Sequence, residues 1–139
     1  MPPPIEHPCL HLHVHSGTYF VSKLQPSAPI PQSIIVSLVD STRFLNVTRT
    51  SEETSIVGEW HTGIPVAFKP DAIWRCIKLR GPMEFSLVGV LAQLSAPLKS
   101  AGIGIFVIST WNTDYLLVNE NHVELAVETL KADGWTFEE

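Results

Sequence analysis

Residues 79–130 read LRGPMEFSLVGVLAQLSAPLKSAGIGIFVISTWNTDYLLVNENHVELAVETL, and the change of periodicity along this stretch decides the fold. Just before it, residues 72–79 (AIWRCIKL) have the apolar, β-branched character of a strand, which Gly81-Pro82 stops. Over residues 85–100 the periodicity becomes helical: Leu87, Leu91, Leu94 and Leu98 fall on one stripe, with Gly89, Ala92 and Ala96 close by. Pro97 is expected to kink or restart this helix, and Gly102 to cap it. Residues 103–108 (IGIFVI) read as a buried strand, STWNTD as a turn, and residues 115–118 as the returning strand. Asn121 with Glu124 has the form of a capping pair. Val123, Ala126, Val127 and Leu130 then make an amphipathic face that Gly134 ends. With residues 135–137 as a last strand, the order is β-α-β-β-α-β, the ferredoxin-like pattern.

Toward the N-terminus the pattern is weaker. Residues 10–24 (LHLHVHSGTYFVSKL) alternate like a strand, interrupted at Ser16-Gly17, and the proline-bearing QPSAPIPQ must be a loop. Residues 33–39 fit either a short helix or a buried strand. Residues 45–60 read as two strands around a polar turn at residues 51–53. An internal repeat links the halves. Tyr19-Phe20-Val21-Ser22-Lys23-Leu24 lines up with Trp74-Arg75-Cys76-Ile77-Lys78-Leu79, and residues 48–57 line up with 109–118, so that Glu53 matches Asp114. The fold class expected is therefore α+β: two tandem βαββαβ units, the first with reduced helices and sharing the core of the second. The organisation expected is a Pro-rich leader at residues 1–8, a reduced unit at 9–68 and a complete unit at 69–139.

Composition excludes several classes. Of 139 residues 45% are hydrophobic and 17% charged, which suits a globular fold. Nine basic residues against fourteen acidic ones give a net charge of -5, without the clustered Lys and Arg that nucleic-acid binding needs. No apolar run reaches the roughly 18 residues of a membrane span, and the leader has no apolar signal-peptide core. Two widely spaced cysteines, Cys9 and Cys76, read as reduced thiols, so a cytoplasmic address is expected.

Residues 79–130 resemble the ACT domain, and are most similar to the tandem-ACT proteins of bacteria and fungi and the CASTOR-type arginine sensors. The pieces that carry the resemblance are Gly89-Val90-Leu91-Ala92 with Pro97-Leu98, the Ala101-Gly102-Ile103 entry, and Ile108-Ser109-Thr110 running to Asp114-Tyr115. A weaker likeness covers residues 17–57. The resemblance implies a non-catalytic regulatory module that binds an amino acid where two ACT units meet, within a homodimer and without a cofactor. It also implies that Thr110, Trp111 and Asp114 occupy ligand-contacting positions. The arginine sensors carry an acidic residue at the position of Leu87, and an apolar side chain there would not pair with a guanidinium. Bacterial relatives commonly read STYDTDY where this chain has STWNTDY. A neutral or apolar ligand is the expectation here.

The residues themselves argue for the same place. A short loop leads from the strand at residue 79 into a helix, whose N-terminal amides favour a carboxylate, so Glu84, Phe85, Ser86 and Leu87 are candidate ligand-binding residues. Asp114 offers a negative pole to an ammonium. Ser109, Thr110, Asn112 and Thr113 supply hydrogen-bonding groups, and Trp111 an aromatic wall. Turn formation alone also explains Thr110 and Asp114, Trp111 equally suits a core or an interface, and Arg49, Glu52 and Glu53 suit a solvated hairpin tip. His11, His13 and His15 share one face of a strand and form a rival metal-binding reading. No G-x-S-x-G, P-loop or G-x-G-x-x-G occurs, which leaves a small isomerase or cyclase with His and Asp as acid and base as the enzymatic alternative.

Overall fold

A computed structural model describes residues 8–82 and 89–138. After a 3-10 turn at Pro8–Leu10, the elements in chain order are β1 (Leu12–Val14), β2 (Tyr19–Leu24), α1 (Gln32–Ser37), β3 (Leu45–Arg49) and β4 (Thr54–Glu59). A second 3-10 segment (Val66–Asp71) follows, then β5 (Trp74–Leu79), α2 (Val90–Ser100), β6 (Ile105–Ser109), β7 (Asp114–Asn119) and α3 (Val123–Ala132). Antiparallel pairing and the βαββαβ-like order make this the α+β fold that the periodicity predicts. Among the described residues no helix is long and apolar enough to cross a membrane.

The chain divides into two compact units, one of Gly17–Trp74 and one combining Met1–Ser16 with Arg75–Glu139. Residues 9–16, grouped by sequence with the first lobe, thus pack with the second. In the Gly17–Trp74 unit, β4 lies between β2 and β3. The undecided segment at residues 33–39 is the short helix α1, and the 3-10 segment stands where a complete unit carries its second helix. Phe20, Ile34, Ile56, Ile64, Phe68 and Ala72 form its core, with the Phe20 and Phe68 rings stacked at 5.7 Å between centroids.

In the other unit, β5 neighbours β7, and β7 neighbours β6. β1 pairs with β5 through Leu12↔Leu79, and the last segment contributes only a parallel bridge from Phe137 to Leu12. The expected final strand at residues 135–137 is therefore one bridge, because β1 occupies the edge of β5 beside it. Buried side chains of both helices, β1, β5 and β7 make a second cluster, centred on Leu12, Ile77, Leu94, Leu98, Leu116 and Leu130. Among the described residues each unit has a buried cluster of its own.

Local sequence explains most boundaries. Gly102 (φ 75°) and Gly134 (φ 104°) end α2 and α3 in the left-handed conformation that glycine adopts without a Cβ penalty. α2 runs through Pro97 to Ser100 without restarting. Its inner face is Val90, Leu94 and Leu98, whereas Leu91, expected on that face, is half out of the core at 37% exposure. A stripe built on Val90 keeps the i, i+4 spacing that buries one face. Leu87 of the expected stripe lies outside the described residues. α3 begins after His122 with no side-chain cap, and the Asn121 amide donates to Asn119 Oδ1 at 2.9 Å, so the expected Asn121–Glu124 pair does not form the cap.

Candidate ligand site on the β6–β7 hairpin

The hairpin between β6 and β7 is built around one hydroxyl. Thr110 Oγ1 accepts from the amides of Asn112 and Thr113, both at 3.3 Å, and donates to Thr113 O at 3.1 Å, while the Thr110 amide donates to the same carbonyl at 2.9 Å. Thr110 therefore holds the turn, as threonine does when its side chain satisfies nearby backbone groups. On either side, Ser109 and Asp114 are register partners, and Ser109 Oγ donates to Asp114 Oδ1 at 2.5 Å. Side chains alternate along a strand, so Asp114 shares the face of Leu116 and Val118, the face on which both helices pack. The carboxylate is buried at 9% exposure.

The turn is tied to the exit of β5. Thr113, 2% exposed, donates its hydroxyl to Leu79 O at 2.8 Å. Gly81 follows at φ 65°, and a Cβ there would lie 2.9 Å from Thr113 Cβ. Only glycine combines that backbone angle with so close an approach. Asp114 thus sits at the end of the sheet where the chain leaves β5 toward α2. Gly81 and the Leu79 carbonyl were not among the sequence-derived candidates. The Gly-Pro dipeptide directly after an apolar strand is the signal that marks them.

Of the ten candidates, Ser109, Thr110, Thr113 and Asp114 come together in this turn. Asn112 and Trp111 are exposed at its tip, Trp111 at 83%, which removes the core reading for the tryptophan. Glu84, Phe85, Ser86 and Leu87 lie outside the described residues. Behind the turn, burial raises the Tyr115 phenol above its ordinary range, and Lys78 Nζ stands 5.8 Å from the centre of its ring. Among the described residues no group of three or more His, Cys, Asp and Glu is disposed to hold a metal ion. β1 is only three residues long, so His11 and His15 flank it, and His11 Nδ1 lies 3.8 Å from Glu138.

The Gly17–Trp74 unit repeats the hairpin. Thr50 holds Glu52, Glu53 and its own turn as Thr110 holds Asn112 and Thr113, with the Thr50 amide donating to Glu53 O at 2.9 Å. β4 and β7 also share one burial pattern residue for residue. The equivalence is therefore Thr50 to Thr110 and Thr54 to Asp114, one residue away from the sequence alignment that set Glu53 against Asp114. Where the second hairpin pairs Ser109 with Asp114, the first pairs Arg49 Nε with Thr54 Oγ1 at 3.2 Å.

The ACT domain model matches residues 70–132, which span β5 to the end of α3. Residues 70–132, just under half of the chain, carry this ACT domain match. The structure of protein Atu0741 from Agrobacterium tumefaciens is similar over most of this chain. It has 34% identity and a TM-score of 0.77, covering 92% of this chain and 91% of that one. The aspartokinase alpha and beta subunit structure shares the fold at 16% identity and a TM-score of 0.65, covering 88% of this chain and 92% of that one. In sequence, subunit 1 of the human cytosolic arginine sensor for mTORC1 is 37% identical over 60 residues, and its bovine counterpart matches equally. That match covers 42% of this chain and 18% of the sensor, so this chain spans under a fifth of the relative's length.

The Thr113 bond is testable without a ligand. Thr113→Val removes a buried donor to Leu79 O at almost constant shape, and should cost about 1–3 kcal/mol. A chemical-denaturation midpoint unchanged from the parent would remove the bond from the account of the turn.

Proposed function

We propose that this protein is a non-catalytic regulatory module that binds an amino acid, with Asp114 receiving the ligand's ammonium group. The single observation behind this reading is the Asp114 carboxylate. It is buried, oriented by Ser109, and held by Thr113 beside the point where β5 opens toward α2. A carboxylate aimed by one hydroxyl keeps further lone pairs for a cationic partner. The amides at the start of the following helix would take the ligand's carboxylate, with residues Glu84, Phe85, Ser86 and Leu87 on that side. Trp111 supplies the wall, Asn112 and Ser109 the polar rim, and Thr110 positions the turn. The name of the human relative, an arginine sensor, supports an amino-acid ligand in general. Leu87 disfavours arginine itself, because a guanidinium wants a bidentate acidic partner. The proposal extends to a tandem arrangement of ACT units, to a ligand held where ACT units meet, to a homodimer, and to a cytoplasmic address.

The experiment is a thermal-denaturation screen of the full chain against the twenty amino acids. At least one, at about a hundred times its Kd, should stabilise the folded state by about 2.7 kcal/mol and raise Tm by several degrees. Asp114→Ala should abolish the rise while the protein still unfolds cooperatively. Silence across all twenty amino acids, or an unchanged rise in the variant, would defeat the reading.

A further inference from the structure

A cavity of about 370 Å³ lies beneath the first half of α3, lined by Val14, Arg75, Val123, Glu124, Val127 and Glu128. Arg75 enters it from the start of β5, whereas Gly81 and the Asp114 hairpin stand at the strand's other end. Six residues of extended chain separate the two places by about 20 Å. The cavity therefore belongs to none of the chemistry described above.

Its lining is polarised. Arg75 carries a fork of N–H donors, of which Nη2 donates to His15 O at 3.0 Å, while Nε is shut from solvent with no acceptor among the described residues. Glu124 and Glu128 stand one turn apart on α3 and bring two carboxylates to the same space. Val14, Val123 and Val127 make the remainder apolar. A simple anion would meet the two glutamates, and a simple cation would meet the guanidinium. A molecule that carries both charges satisfies both walls, and the volume falls within the range of small-molecule sites.

We propose that this cavity is a second ligand site, taking the zwitterion of an amino acid with an aliphatic side chain. Its carboxylate turns the Arg75 fork toward itself and supplies the acceptor that the buried donor lacks. Its ammonium lies between Glu124 and Glu128, and its side chain rests against the three valines. The site is independent of the Asp114 reading and stands if that reading fails.

The test is an NMR titration of the full-length protein with L-leucine, and in parallel with L-valine, L-isoleucine and L-methionine. It follows the Arg75 Nε–Hε resonance and the methyl groups of Val14, Val123 and Val127. The proposal expects saturable shifts at these four residues with at least one of the amino acids. Arg75→Gln should weaken that binding by about tenfold or more, the loss of one charged hydrogen-bonded contact. Should Arg75→Gln disturb folding, Glu128→Lys on the exposed face of α3 must weaken it instead. Asp114→Ala should leave the same shifts intact. The proposal is overturned if none of the four ligands gives a saturable shift, or if 4-methylpentanoate, which lacks the ammonium, binds as well as leucine. Loss of the shifts in Asp114→Ala, or their persistence in both Arg75→Gln and Glu128→Lys, overturns it too.

Discussion

Phe20→Ala lowers the stability of the Gly17–Trp74 unit by about 3–5 kcal/mol, the range for removing a fully enclosed aromatic side chain from a core. Phe20 is 0% exposed and stacked on Phe68 in a small cluster of six buried and five partly buried residues, and Gly58 lies so near that a Cβ there would stand 3.4 Å from the ring. So few neighbours cannot close the space that the ring leaves, and the loss is large beside the 5–15 kcal/mol that holds ordinary domains folded. The measurement is hydrogen exchange on the β2–β4 and β3–β4 ladders. Their amides should lose about two to three and a half orders of magnitude of protection, each 1.4 kcal/mol being tenfold. A loss below about tenfold in those amides would show that this small cluster is not what holds the unit.

Gly81→Val is the second large effect, at about 2–5 kcal/mol. A left-handed backbone costs an L-residue about 1–2 kcal/mol, and forcing atoms into filled space adds about 1–3. Both apply here, because φ is 65° and the new Cβ would meet Thr113 Cβ at 2.9 Å and Asn112 O at 3.2 Å. Gly81→Asn separates the two causes, since asparagine tolerates the left-handed region but keeps the Cβ. Relief in the asparagine variant would assign the loss to φ, and equal loss would assign it to contact with Thr113. Both substitutions push on the turn that carries Asp114, so ligand-induced stabilisation should fall with them. A Gly81→Val protein that melts with the parent would contradict the packing described for this corner.

The second lobe was legible because its signals are local. Helical spacing, left-handed glycines after each helix and a tight polar turn each depend on residues only a few positions apart. Which leucine stripe faces inward was less so. Leu94 and Leu98 belong to the stripe expected with Leu87 and Leu91, but packing against β5 and β7 sets Val90 beside them and leaves Leu91 outward. The repeat was visible but slipped by one residue. Glu53 and Asp114 align as acids, yet the hydroxyl clasp, which no composition reveals, sets Thr50 against Thr110. The place of β1 was illegible, since its pairing with β5 joins distant parts of the chain and leaves no periodic trace. In the hairpin, residue type picked out Ser109, Thr110, Thr113 and Asp114, which the turn brings together. It passed over Gly81, whose role lies in what its missing side chain permits.

The pairing of β1 with β5 has a consequence for the order of assembly. Leu12 pairs with Leu79, made 67 residues later, and is bridged by Phe137, made later still. As the chain emerges from the ribosome, the intervening Gly17–Trp74 segment acquires all the strands of its own ladder first. β1 must therefore wait for β5 with its apolar side chains uncovered, and that interval is when this part of the nascent protein is most exposed to aggregation and to chaperones.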